Sequence, residues 1–311
     1  YLANNIPIGT TTPTGGRIMK VVYGHTDSIY VQIDKLETAK ETVKIINDHV
    51  RTIFPNLLGL EEHPVTLEFE KYFHSLGVGA TKNRNAGLIT WKEGKDLEEM
   101  EFTMTGFTAK RVSETKLAKK VQITTLKMWV NGDSEEDIVN YLNDVYEKVR
   151  FGKISKSEII KRSRYRPARF TVVCKTCKRT SDLNNLTRNE KTCCGQPVLE
   201  TSEGKRPTIG SNVEGVLYYN SNNEIPIDDS HLYLKINNSH LKKYFHPIKG
   251  EWLKPNFVAE LKEADFEKYV PHWDFYAETV VKKAEPIFNA MNWDIKQVMR
   301  DSKQKTLVEW F

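Results

Sequence analysis

Two short apolar runs, Val21-Val22-Tyr23 and Ile29-Tyr30-Val31, flank a polar tip, Gly24-His25-Thr26-Asp27-Ser28. β-branched and aromatic residues on either side of a Gly and a short acidic segment predict a β-hairpin. Such a turn lifts the Asp27 carboxylate to the rim of a sheet, within reach of solvent and ions; an ordinary surface turn has the same local pattern. From Leu36 to Phe54 apolar residues fall at helical spacing (Leu36, Ala39, Val43, Ile46, Val50, Ile53) and Pro55 ends the run. Val65–Phe73 alternates, which predicts a strand with Glu68 and Glu70 on one face, also the pattern of a solvated edge. A longer helical pattern through Leu117, Val121, Leu126, Met128 and Val130 ends near Asn131-Gly132. Asp133-Ser134-Glu135-Glu136 then supplies the start of a second helix reaching Val149. The stretches 205–213 and 216–220 return to a β pattern, and Asn220 to Glu224 reads as a loop. Segments 265–270 and 274–281 precede a helix containing Pro286 and Phe288, while residues 1–17, rich in Thr, Gly and Pro, form a flexible lead-in.

Composition narrows the class. With 311 residues the chain has ample length for a buried core, and 28% charged against 39% hydrophobic residues fits a soluble globular protein with a polar bias. No apolar run approaches the roughly 20 residues that cross a bilayer, and no signal-peptide pattern opens the chain, so no membrane partner is expected. The net charge is +5, but between Lys148 and Arg179 there are 12 Lys/Arg against one acid, Glu158, a local excess of +11. Interleaved with Phe151, Tyr165 and Phe170, this block has the electrostatic footprint of a phosphate-backbone binder; a solvated basic face is the alternative. The four cysteines fall within 21 residues. Cys174-Lys175-Thr176-Cys177 and Cys193-Cys194 suggest a four-cysteine zinc ribbon over about residues 170–200, with free thiols or a redox pair as alternatives. With no secretory signal, a reducing compartment is expected.

The string Tyr23-Gly24-His25-Thr26-Asp27-Ser28 between hydrophobic strands resembles motif C of the family B DNA polymerases, departing from it where His25 replaces the family's first Asp. The resemblance implies that Asp27, the motif's second Asp, is the catalytic Mg²⁺ ligand of a two-metal phosphoryl-transfer site. His25 weakens that site, because neutral imidazole is a poor Mg²⁺ ligand. The acidic strand that lies beside the catalytic carboxylates in the family corresponds to Glu68 and Glu70, which implies a part in holding the metal ions and their waters. Ala80-Thr81-Lys82-Asn83-Arg84-Asn85-Ala86-Gly87 resembles the Lys-Lys-Arg-Tyr-Ala-Gly segment that steadies the primer–template duplex. Lys82, Arg84 and Gly87 carry over as DNA contacts, and Asn83 and Asn85 depart from the pattern. Lys110 and Arg111 match the basic pair at the crossing from palm to thumb, and Arg162, Arg164 and Arg166 add cations for the duplex.

The last eight residues, Gln304-Lys305-Thr306-Leu307-Val308-Glu309-Trp310-Phe311, resemble the sliding-clamp-binding peptide called a PIP box. Leu307, Trp310 and Phe311 would enter an apolar pocket of a PCNA-type clamp beside Gln304; an amphipathic turn packed on its own domain fits the same letters. The expected architecture is α+β: a partial antiparallel palm sheet with helices over 1–105, a mostly helical thumb with the zinc-ribbon-like insert over 106–290, and a tail over 291–311. The expected function is that of the C-terminal part of a DNA-directed DNA polymerase, whose substrates are primer–template duplex and deoxynucleoside triphosphates. The family's other metal-binding Asp and its fingers helix precede motif C and are absent from these 311 residues. An N-terminal polymerase half is therefore an expected partner, and the isolated chain is expected not to polymerise. A cytoplasmic, nucleoid-associated location is expected, or a nuclear one in a eukaryote. The rival function is a non-enzymatic accessory module that binds duplex DNA and the clamp.

Overall fold

The computed structural model describes residues 18–24, 28–81, 83–166, 171–174, 176–188, 194, 200–201 and 209–299. It is a mixture of helices and sheets in which every paired strand is antiparallel. Two compact units share the chain: residues 1–107, 126–134 and 286–293 form one, and 108–125, 135–285 and 294–311 the other. Among the described residues no helix is long and apolar enough to cross a membrane.

The first unit opens with the hairpin of β1 (Ile18–Gly24) and β2 (Ile29–Ile33), which closes with Gly24 paired to Ile29. Helix α1 (Leu36–Ile53) follows and covers the hairpin with Ile46 and Val50, against Val21, Ile29 and Val31. A three-stranded meander, β3 (Lys71–Val78), β4 (Asn85–Lys92) and β5 (Lys95–Thr105), comes next in the order β3-β4-β5. Its second turn pairs Lys92 with Lys95, and Glu93 and Gly94 both take positive φ (48° and 86°), as a two-residue hairpin turn of matching twist requires. The end of α2 (Lys116–Asn131) belongs to this unit as well. Trp129 there packs so closely on Gly77 that a Cβ at 77 would lie 2.4 Å from the indole.

The second unit contains α3 (Glu135–Arg150), packed along α6 (Trp273–Val281). Its main sheet has the order β13 (Phe257–Glu260), β10 (Ser230–Lys235), β6 (Lys161–Arg164). Helix α5 (Ser211–Asn222) lies against β13, where a Cβ at Gly215 would come 2.9 Å from the Val258 backbone. Tyr165, Val213, Val216, Leu217, Tyr244 and Ala259 are among the buried residues of this core. Two smaller sheets complete the unit: β7 (Thr171–Val173), β8 (Thr180–Asp182) and β9 (Glu200–Thr201), in the order β8-β7-β9, and the hairpin β11 (Tyr244–His246) with β12 (Glu251–Leu253). The short helix α4 (Leu183–Arg188) follows β8, while α7 (Glu285–Met291) belongs, from Pro286 on, to the first unit.

Three expectations need correction. The strand expected over 65–73 begins at Lys71; Leu67 has both backbone groups bonded to the Asn47 side chain (2.7 and 2.8 Å), so its hydrogen bonds go to a helix rather than to a ladder. The stretch 216–220 is helical, because its buried residues Val213, Val216, Leu217 and Asn220 repeat at helical spacing despite their β-prone letters. Segments 274–281 and 263–268, to which the sequence assigns no element, form helix α6 and a 3-10 helix. With β6, β10 and β13 at its centre, the second unit is also less helical than expected.

Candidate functional site

The β1–β2 hairpin closes with Gly24 paired to Ile29, and Ser28 is the one described residue between them. His25 and Asp27 themselves lie outside the described residues. Behind the tip, Tyr23 faces Tyr30 across the strands with ring centroids 5.3 Å apart, and Tyr30 leans on Phe73 of β3 at 6.0 Å. The Tyr23 hydroxyl donates to Asn83 Oδ1 at 3.0 Å. Asn83 sits in the β3–β4 turn, which the Gly79 N–H closes by bonding the Arg84 carbonyl at 2.8 Å. Its φ of 63° is one that Asn tolerates better than most residues. Gly106, at φ 77°, supports the same turn from the end of β5: a Cβ there would be 1.9 Å from the Asn83 carbonyl oxygen. Tertiary structure thus joins the acidic hairpin to the basic turn 60 residues away. Comparison with a family lysine hides Asn83 in the sequence; what its amide would bond is the signal that could have found it.

The other acids expected here have plainer surroundings. Glu68 and Glu70 are exposed on the extended segment before β3. Glu70 pairs with Lys71 at 2.5 Å, and that hydrogen bond raises the Lys71 pKa above its ordinary value. Between the two acids, Phe69 stacks on Trp91 at 4.4 Å, with the Lys40 ammonium on the same indole.

Among the expected DNA contacts, Lys82 lies outside the described residues and Arg84 is half-buried. Gly87 is buried in β4, where any Cβ would strike Phe73 and the Ser75 carbonyl, so its glycine has a packing reason. Lys110 and Arg111 are exposed just before α2, and Arg162, Arg164 and Arg166 are exposed at alternate positions along and just beyond edge strand β6. The basic block is less charged than its letters suggest. Lys148 pairs with Asp144 (2.5 Å), Arg150 with Asp274 (3.2 Å), Lys156 with Glu267 (3.2 Å) and Lys161 with Glu114 (3.5 Å). Lys153, Arg162, Arg164, Arg166, Lys178 and Arg179 have no ion pair among the described residues; Arg169 and Lys175 of the block lie outside them.

A second centre lies at the β7–β8 turn. Cys174 follows the first strand, its carbonyl accepts from Lys178 N at 2.9 Å, and its own N–H bonds the Arg179 carbonyl at 3.1 Å. Lys178 takes φ 57°, which turns the chain back into β8. The Sγ atoms of Cys174, Cys177 and Cys194 lie within 4.8 Å of one another. A tetrahedral zinc site with Zn–S near 2.3 Å needs sulfur separations of about 3.8 Å, so three of its corners fit this cluster. Cys193 lies outside the described residues, as do Gln304, Leu307, Trp310 and Phe311 of the tail.

The chain is thus of mixed α/β build, with a hairpin bonded to the β3–β4 turn in its first unit and an arginine-bearing edge strand in its second. Residues 4–181 match the sequence model of DNA polymerase family B, and the chain belongs to that family. It is 28% identical over 141 residues to a DNA polymerase of Archaeoglobus fulgidus, covering 45% of this chain and 16% of that protein. It is 23% identical over 142 residues to DNA polymerase 2 of Aeropyrum pernix, covering 46% and 15%. Against the DNA polymerase zeta catalytic subunit of Arabidopsis thaliana the identity is 26% over 141 residues, covering 45% and 7%. These matches span no more than 16% of each relative's length.

Proposed function

We propose that this chain is the C-terminal palm-and-thumb portion of a DNA-directed DNA polymerase, which extends a primer on a template in DNA replication and needs an N-terminal polymerase half. The observation that carries the reading is the Tyr23–Asn83 hydrogen bond, which holds the Asp27-bearing hairpin to the turn that contains Lys82 and Arg84. The donors assigned to the metal site are carboxylate oxygens, the chemistry that Mg²⁺ takes, with Asp27 as the main ligand and Glu68 and Glu70 in support. Bound there, Mg²⁺ would activate the primer hydroxyl and neutralise the leaving pyrophosphate. The chain's own share is to fix the carboxylate through the hairpin, to hold the duplex with Arg84, Lys110 and Arg111, and to add the charges of Arg162, Arg164 and Arg166. Cys174, Cys177 and Cys194, with Cys193 as fourth ligand, hold a structural Zn²⁺ that pins the ribbon. The C-terminal peptide binds a sliding clamp.

The test is primer extension by the purified chain, alone and mixed with a polypeptide carrying the upstream polymerase segments. Extension is expected only in the mixture, and Asp27→Ala is expected to abolish it while duplex affinity is retained. Extension by the chain alone overturns the half-enzyme reading. A mixture without activity, in which duplex and clamp are still bound, favours the accessory module.

A further inference from the structure

Between β10 and β13 the chain makes an excursion, residues 238–256, that none of the assigned sites uses. Asn238 Nδ2 reaches Asn256 Oδ1 across its foot at 3.5 Å. Glu214 of α5 accepts from Asn256 N at 2.8 Å, and Lys254 Nζ donates to the Ser239 carbonyl. The excursion contains the β11–β12 hairpin, whose two faces differ. Tyr244 pairs with Leu253, and both pack into the core of the second unit. The neighbouring pair, Phe245 with Trp252, points the other way. Phe245 is 7% exposed but Trp252 is 45% exposed, an unusual position for a large aromatic. The two rings meet at 71° with centroids 6.1 Å apart, so Phe245 is not stacked on the indole.

The excursion is also basic. The excursion holds Lys242, Lys243, Lys249 and Lys254 against one acid, Glu251. Lys242, Lys243 and Lys249 are exposed and have no ion pair among the described residues. At the foot, an open cleft of about 490 Å³ is lined by Asn237, Asn238, Asn256, His272, Trp273 and Arg150, with Asp274 at its edge. Trp273 brings a second indole to this cleft.

We propose that the β11–β12 hairpin is a platform for single-stranded DNA, with an unpaired base stacked on Trp252 and phosphates held by Lys242, Lys243 and Lys249. A duplex fits this surface poorly, because the face of an indole stacks only on a base whose own face is free. The cations match a phosphate chain, and three of them have no ion pair among the described residues. The platform extends the proposed nucleic-acid function to a strand that the duplex contacts do not serve.

The full chain is titrated with fluorescein-labelled oligo-dT of about 20 nucleotides, longer than one stacking site requires, and with a blunt duplex of the same length. Trp252→Leu keeps apolar cover over Phe245 but removes the aromatic face. It is expected to weaken oligo-dT binding at least about fivefold with duplex binding unchanged. The triple variant Lys242→Ala, Lys243→Ala, Lys249→Ala is expected to reduce the salt slope on oligo-dT by about 2. Unchanged oligo-dT affinity in Trp252→Leu overturns the platform, and so does an equal loss on both DNAs together with a lower melting temperature. Wild-type chain that binds duplex but not oligo-dT overturns the platform alone and leaves the polymerase reading standing. Binding of neither DNA sinks both.

Discussion

Glu114→Gln is the perturbation whose size the structure fixes best. The Glu114 carboxylate is 8% exposed and faces two lysines, one on each oxygen: Lys161 at 3.5 Å and Lys283, closer still. The Thr115 N–H adds a third contact at 3.2 Å. Three segments meet here, the loop before α2, strand β6 and the turn after α6. Burial pushes the Glu114 pKa up, but the Lys283 hydrogen bond and the charges of Lys161 and Lys283 outweigh it, so the net shift is downward. Glutamine keeps the shape and removes the charge, leaving two lysine ammonium groups facing each other without a counter-ion. Breaking a buried pair on one side costs about 3–5 kcal/mol. Lys161 and Lys283 retain 26% and 18% exposure and so can recover some hydration, which argues for about 2–3 kcal/mol here. For a unit of this size each kcal/mol moves the melting temperature by about 2–4 °C, so the expected drop at pH 7 is about 4–12 °C.

The pH dependence gives the sign. A carboxyl whose folded pKa is depressed contributes stability that is fully present above its unfolded value, near 4.5, and is lost as pH falls through the folded pKa. Differential scanning calorimetry should therefore show a constant gap between wild type and variant from about pH 6 to 8, closing only below about pH 4. A variant that melts with wild type at pH 7, or a gap that widens on acidification, would mean that the carboxylate is not what holds the two lysines.

Three further outcomes are expected. Gly106→Ala forces a side chain into the left-handed region and onto the Asn83 carbonyl, so it should cost at least about 2 kcal/mol and weaken duplex binding through the displaced turn; wild-type melting and affinity would contradict this. Purified chain should carry one zinc per molecule by plasma mass spectrometry, and both Cys174→Ser and chelation should lower its melting temperature. Metal-free protein of unchanged stability would mean the three thiols serve another purpose. Leu307→Ala with Phe311→Ala should abolish clamp binding in surface plasmon resonance while leaving duplex affinity intact, and retained clamp binding would remove the tail from the proposal.

Helices α1, α2 and α3 are readable in the sequence because their evidence is local. Apolar residues at helical spacing, Pro55 after the first, and the Asp133-Ser134-Glu135-Glu136 start of the third are properties of adjacent letters. The family is likewise legible in two short strings, the hairpin tip and the 80–87 turn. Letters mislead where a segment's partner is distant. Leu67 gives up a ladder because Asn47 reaches it first, and α5 takes its form from the surface of β13 rather than from the β-leaning letters of Tyr218 and Tyr219. The free charge of the 148–179 block is overcounted for the same reason, since Asp274, Glu267 and Glu114 are far away in sequence yet within ion-pair distance. Periodicity, helix starts and family membership are thus written in the letters alone. Which hydrogen bonds and charges are already taken, the Tyr23–Asn83 link between hairpin and turn among them, emerges only when the chain folds. Pattern along a chain records which face a residue prefers to bury, whereas partnership depends on what the folded chain brings opposite it.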